Sequence, residues 1–71
     1  MERTAVQSKD LSIVGYDAKK QELEVTFKGG GVYVYSNVPE VVYQALMLAE
    51  SHGLYFNQHI KDKFPTQKIR G

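Results

Sequence analysis

Gly29-Gly30-Gly31-Val32-Tyr33-Val34-Tyr35, then Asn37-Val38-Pro39, then Ser51-His52-Gly53-Leu54-Tyr55-Phe56-Asn57-Gln58-His59-Ile60-Lys61 decide the fold of this chain. The triple glycine reverses the chain, because glycine reaches the positive φ that tight hairpins need. Just upstream, Glu22-Leu23-Glu24-Val25-Thr26-Phe27-Lys28 alternates strictly and puts Leu23, Val25 and Phe27 on one face. That is the pattern of a strand with one buried side. Val32 to Tyr35 returns as its partner. Its tyrosines are read as facing the helices, with the register left open by sequence. Pro39 suits a first helical turn, where its missing N–H costs nothing. Val38, Val41, Val42, Ala45, Leu46 and Ala49 then fall at helical spacing as far as Glu50. Ser51 is a good N-cap for a second helix with an inner stripe of Phe56, Ile60 and Phe64, which Pro65 ends.

Working outward, Val6 to Tyr16 reads as one or two short strands broken at Ser8-Lys9-Asp10, and Asp17 to Gln21 as a turn. The expectation is an α+β fold: a three-stranded antiparallel meander followed by two helices packed on one face. With 71 residues, 1–71 form a single domain. It is read as structured over about 5–64 with 65–71 a flexible tail. The core of so small a domain is marginal. There are no cysteines, so disulfides and thiolate metal sites are excluded. No apolar run approaches the roughly 18 to 20 residues that span a membrane. The first residues carry no apolar segment of the signal-peptide kind. A soluble, cytoplasmic protein is expected. The net charge of +1 hides an uneven distribution. Residues 1–50 sum to −2, whereas 51–71 sum to +3 through Lys61, Lys63, Lys68 and Arg70 against Asp62. A basic end of this kind serves phosphate binding or is simply solvated.

Ile13…Gly15-Tyr16-Asp17, Leu23-x-Val25-x-Phe27, Tyr33-x-Tyr35, Val38-Pro39-x-x-Val42-Tyr43 and Ser51-x-Gly53-x-Tyr55-Phe56-Asn57-x-x-Ile60-Lys61 together resemble the KTSC domain. That small domain is named for its place at the C-terminus of some lysyl-tRNA synthetases, and it also occurs alone in short bacterial and phage proteins. The resemblance runs from about Val6 to Phe64. It implies a domain without an assigned activity, for which attachment to a synthetase suggests RNA contact. That suggestion is association rather than mechanism.

The candidate site residues each have two readings. Tyr33 and Tyr35 are either a stacking platform for unpaired bases or rings packed under the helices. Ser51, Gly53 and Asn57 read first as a helix cap, a close approach and a loop contact. At the same helix end they would also suit an anion. Lys61, Lys63 and Lys28, with Lys68 and Arg70, would contact phosphates or form a solvated face. His52 and His59 lack a third ligand for zinc and read as surface groups. No nucleophile stands beside a base, and the triple glycine lacks the Gly-Lys-Ser/Thr ending of a phosphate loop.

The sequence therefore leads to a non-catalytic binding module that contacts RNA, either tRNA or a single strand, with no cofactor and no metal. Lys61, Lys63 and Lys28 would hold the backbone, Tyr33, Tyr35 or Tyr55 would stack, and Asn57 and Ser51 would add polar contacts. The alternative is a protein–protein interaction or self-association module, a homodimer included. Its motive is apolar surface on Val14, Val32 and Val34.

Overall fold

The structure is a computed structural model and describes residues 1–71. Its elements run β1 (Glu2–Ala5), β2 (Leu11–Asp17), β3 (Glu22–Phe27), β4 (Val32–Tyr35), α1 (Glu40–Leu48), α2 (His52–His59) and β5 (Thr66–Arg70). The sheet is an antiparallel meander in the order β1-β2-β3-β4-β5. It has five strands where three were expected. β2, β3 and β4 are the expected three. The additions are the two edges, β1 and β5, both exposed along their whole length. Neither Glu-Arg-Thr-Ala nor Thr-Gln-Lys-Ile-Arg alternates in hydropathy, so no buried face announces them. Backbone pairing holds them instead, and residues 66–70, expected as tail, pair with β4 through Tyr33↔Lys68, Val34↔Gln67 and Tyr35↔Thr66.

Register follows from the buried face. Leu23 pairs with Tyr35 and Val25 with Tyr33, while Tyr16 and Val14 pair with Leu23 and Val25 on the other side. Cross-strand partners point to the same side of a sheet. Both tyrosines of β4 therefore lie on the helix side. The turn between β3 and β4 closes with the Gly30 N–H donating to the Phe27 carbonyl at 2.9 Å, and Gly30 takes φ 113°. An L side chain there would be strained.

On the outer face, Gly15 leaves a gap through which Arg3 reaches Glu24 two strands away, with Nε donating to Oε2 at 2.6 Å. This hydrogen-bonded charge holds the Glu24 carboxyl below the usual carboxylate range. Val14 and Val32, which sequence left as partly exposed, are buried, and Val34 is half-buried.

α1 starts at Pro39, whose carbonyl accepts from the Val42 and Tyr43 N–H groups, and Glu40 sits in its first turn. Its inner face departs from the expected stripe at Val41. Leu46 is fully buried, with Val42, Tyr43 and Met47 around it, whereas Val41 is 68% exposed. Tyr43 turns inward to stack on Tyr16, their ring centroids 4.7 Å apart, and rotates the stripe away from Val41.

α2 begins at Ser51, whose Oγ accepts from the Leu54 N–H at 3.2 Å. It stops earlier than its apolar spacing suggests. The Phe56 carbonyl accepts from both Ile60 and Lys61 N–H groups, and Asp62 adopts φ 63°. That left-handed residue turns the chain so that Phe64 arrives from a turn rather than from a helix.

The core consists of Leu11, Val14, Leu23, Val25, Tyr35, Val38, Leu46, Phe56 and Ile60. Leu46 is the buried side chain of α1, so Leu46→Ala is expected to cost about 3 kcal/mol in urea unfolding through transfer and cavity terms. Val41→Ala is expected to stay within about 0.5 kcal/mol, as an exposed substitution does.

Candidate functional site

The concave end of the molecule lies where the β3–β4 hairpin, α2 and β5 meet. A cleft of about 730 Å³ opens there. One wall is the hairpin, with Phe27, Lys28, Gly29 and Gly31. The loop before β2 joins it through Lys9 and Asp10, because the Lys28 N–H donates to the Asp10 carbonyl at 2.8 Å. The opposite wall is α2 and the turn after it, with Gly53, Phe56, Asn57, Lys61 and Asp62. Tyr33 and Tyr35 form the floor, and β5 closes the side with Thr66 and Lys68.

Packing fixes these positions. Phe56 meets Tyr35 at 5.3 Å and Phe27 at 5.5 Å, both edge-on, so α2 is pinned over the two strands of the hairpin. Such pairs are worth about 0.5–1.5 kcal/mol each beyond area burial. Phe27 in turn meets Tyr33 edge-on at 5.4 Å. A Cβ on Gly31 would come within 2.9 Å of the Tyr33 ring, so glycine at that position lets the ring lie back along the hairpin. α2 also approaches the loop before β2 closely, since a Cβ on Gly53 would meet Ser8 Oγ at 3.2 Å.

Of the residues singled out from sequence, Lys28, Tyr33, Tyr35, Asn57 and Lys61 line this cleft together. Three do not. Ser51 lies in a neighbouring groove at the start of α2, where its hydroxyl is the helix cap. Tyr55 is half-buried, with its ring 4.5 Å from that of His59. Lys63 is exposed in the turn beyond α2 and does not line the cleft. Lys68, grouped with the basic end in sequence, also lines the cleft, and the structure adds Lys9; the two stand 59 residues apart and share the cleft only because β5 returns beside β4. No periodicity marks either one. Among histidines, His52 Nδ1 lies 2.8 Å from the Leu46 carbonyl, and His59 packs on Tyr55.

The cleft holds four lysines against two aspartates, Asp10 and Asp62. Its charge therefore favours an anion, while the carboxylates offer acceptors to a ligand's N–H or O–H groups. The two floor tyrosines differ. Tyr35 is 5% exposed and closed off by Phe56. Its phenol is pushed up to about 12, first by burial and then by Tyr33 and Asp62. Tyr33 is half-buried, and the Lys68 ammonium stands over its ring, 5.9 Å from the centroid. That is near the outer limit of a cation–π contact.

A five-stranded antiparallel meander with two helices on one face and a cationic, aromatic-floored cleft at one end defines a small α+β domain. Residues 7–64 match the family model of the KTSC domain, and the chain belongs to that family. A KTSC domain protein from Yersinia pestis has the same fold in its crystal structure, with a TM-score of 0.93 at 40% identity over 96% of each chain. An uncharacterised protein of Stutzerimonas stutzeri is 49% identical over 61 residues, 86% of each chain. A lysine–tRNA ligase of Nostoc punctiforme is 41% identical over 54 residues, which are 76% of this chain and 10% of the ligase.

The raised Tyr35 pKa has a direction in stability. The unfolded chain releases this proton near pH 10 and the folded chain near 12, so folding favours the neutral phenol. Its contribution is full below about pH 10 and is lost as pH climbs towards 12. Urea unfolding from pH 9 upward is expected to fall less steeply for Tyr35→Phe than for wild type. Equal slopes would refute the assignment.

Proposed function

We propose that this domain is a non-catalytic, cytoplasmic binding module whose cleft takes nucleic acid, RNA first among the candidates. The observation that carries the reading is the convergence of Lys9, Lys28, Lys61 and Lys68 on one cleft that also holds the half-buried Tyr33 ring. Lysines on opposite walls suit a phosphate backbone passing between them, and such contacts supply sequence-independent affinity. The likeness to a segment of a lysine–tRNA ligase, an enzyme named for acting on tRNA, supports the same direction by association.

The test is fluorescence anisotropy of labelled RNA at several salt concentrations. Lys28→Ala with Lys61→Ala is expected to weaken binding and to flatten the dependence of log Kd on log salt by about 0.7 per lost contact, the single-strand value. Lys63→Ala, outside the cleft, is expected to behave as wild type. A double variant that binds like wild type sinks the proposal.

A second reading, an interaction module for protein or for its own copies, is favoured by Val41 and Leu48. They are seven residues apart on α1 and 68% and 85% exposed. Sedimentation at micromolar concentration separates the two readings. A dimer that Leu48→Glu dissociates carries the second, and a monomer removes its self-associating form.

A further inference from the structure

Resting on the nucleic-acid reading of the cleft, we infer that its ligand is an unpaired nucleotide whose base stacks on Tyr33 and displaces the Lys68 ammonium from the ring. Three features of the cleft lead there. First, Tyr33 is the less buried of the cleft's two tyrosines: Tyr35 is shut under Phe56, whereas over Tyr33 stands the end of a flexible lysine. Second, that ring is held for stacking before any ligand arrives. Phe27 meets it edge-on at 84°, and the bare backbone of Gly31 lets it lie flat along the hairpin. Third, the lysines reach the cleft from separate elements, Lys28 from the hairpin, Lys61 from the turn after α2 and Lys68 from β5. A nucleotide seated in the cleft therefore has ammonium groups on more than one side for its phosphates.

Geometry excludes the interior of a duplex. A base inside a helix has both faces covered by its neighbours and shows a protein only its edges. A cleft of about 730 Å³ is of ligand-pocket size and takes a nucleotide or two, not a double helix. A cation over an exposed ring is held more weakly than a stacked base, so the exchange is downhill, and the freed Lys68 is left beside the incoming phosphate. Asp10 and Asp62 stand ready to accept from the base or sugar.

The experiment compares an unstructured 12-nucleotide RNA, the same sequence as DNA, and the RNA paired with its complement, at near-physiological salt. A strand carrying 2-aminopurine reports stacking directly. Either single strand is expected to bind wild type at least tenfold tighter than the duplex, with 2-aminopurine fluorescence quenched. Preference between RNA and DNA then identifies the source of the shared base–phosphate chemistry. Tyr33→Leu is expected to lose about tenfold on the single strand and Tyr33→Phe to retain it. If Tyr33→Leu does not fold, the quenching measured on wild type decides alone. Equal binding of single strand and duplex, or no quenching, overturns this inference. The cationic-cleft reading survives that result if Lys28→Ala with Lys61→Ala still weakens binding. Absence of binding to all three nucleic acids overturns both.

Discussion

Phe56 is the residue on which the arrangement turns. It stands edge-on to Phe27 at one end of the hairpin and to Tyr35 at the other, and it is 2% exposed. A sheet with one covered face needs its helices fixed in rotation as well as position, or the buried set slips to solvent. α1 is fixed by Leu46 and by the Tyr16–Tyr43 stack, whose Tyr16 hydroxyl also donates to the Val38 carbonyl. α2 has eight residues and no wide apolar face. Phe56, with Ile60 one turn on, supplies its buried anchors, and Tyr55 packs beside them. Asn57 and Lys61, next in line after these two anchors, are thereby aimed at the hairpin across the cleft. The site is thus a by-product of the core: the same ring that closes the domain spaces its two walls.

How far this was legible in the sequence depends on whether burial or backbone did the work. Leu23, Val25 and Phe27 alternate because one face of β3 is packed against the helices, so the strand and its hairpin could be read, whereas the side taken by Tyr33 and Tyr35 was favoured but fixed only by the register. Ser51 could be read because its cap is a local hydrogen bond. The edges could not. β1 and β5 bury nothing, and their place is set by main-chain pairing that leaves no mark on side-chain pattern. The end of α2 was misjudged for a related reason. Phe56, Ile60 and Phe64 keep helical spacing, but the left-handed Asp62 breaks the helix between the second and third.

The candidate site divides along the same line. Lys28, Tyr33, Tyr35, Asn57 and Lys61 lie on elements whose faces the pattern fixed, and they fall together. Lys63, two residues past Lys61, looked equivalent as a charge but sits past the turn at Asp62 and points its charge elsewhere. Lys9 was invisible as a site residue and Lys68 was legible only as part of a basic end, because the segments that place them carry no side-chain periodicity. A run of charges in a sequence says which end of a chain is basic. Only the topology says which charges share a cleft.

The position of Lys68 links this topology to a division of labour within the cleft. The family match covers residues 7–64 and so includes Lys28, Tyr33, Asn57 and Lys61 but stops short of β5. The two tyrosines of β4 occupy the same face of one strand, yet one is spent on the core and the other is left half-open. What separates them is what lies above: Phe56 of α2 over Tyr35, and the side chain of Lys68, from the neighbouring edge strand, over Tyr33. The strand that carries Lys68 is exposed along its length and bulged where Val32 gives way to Tyr33. Its lysine shields the ring at the outer limit of a cation–π contact. Tyr33 packs against the core yet meets a flexible side chain rather than a helix ring on that side, which leaves a surface both stable alone and open to a ligand.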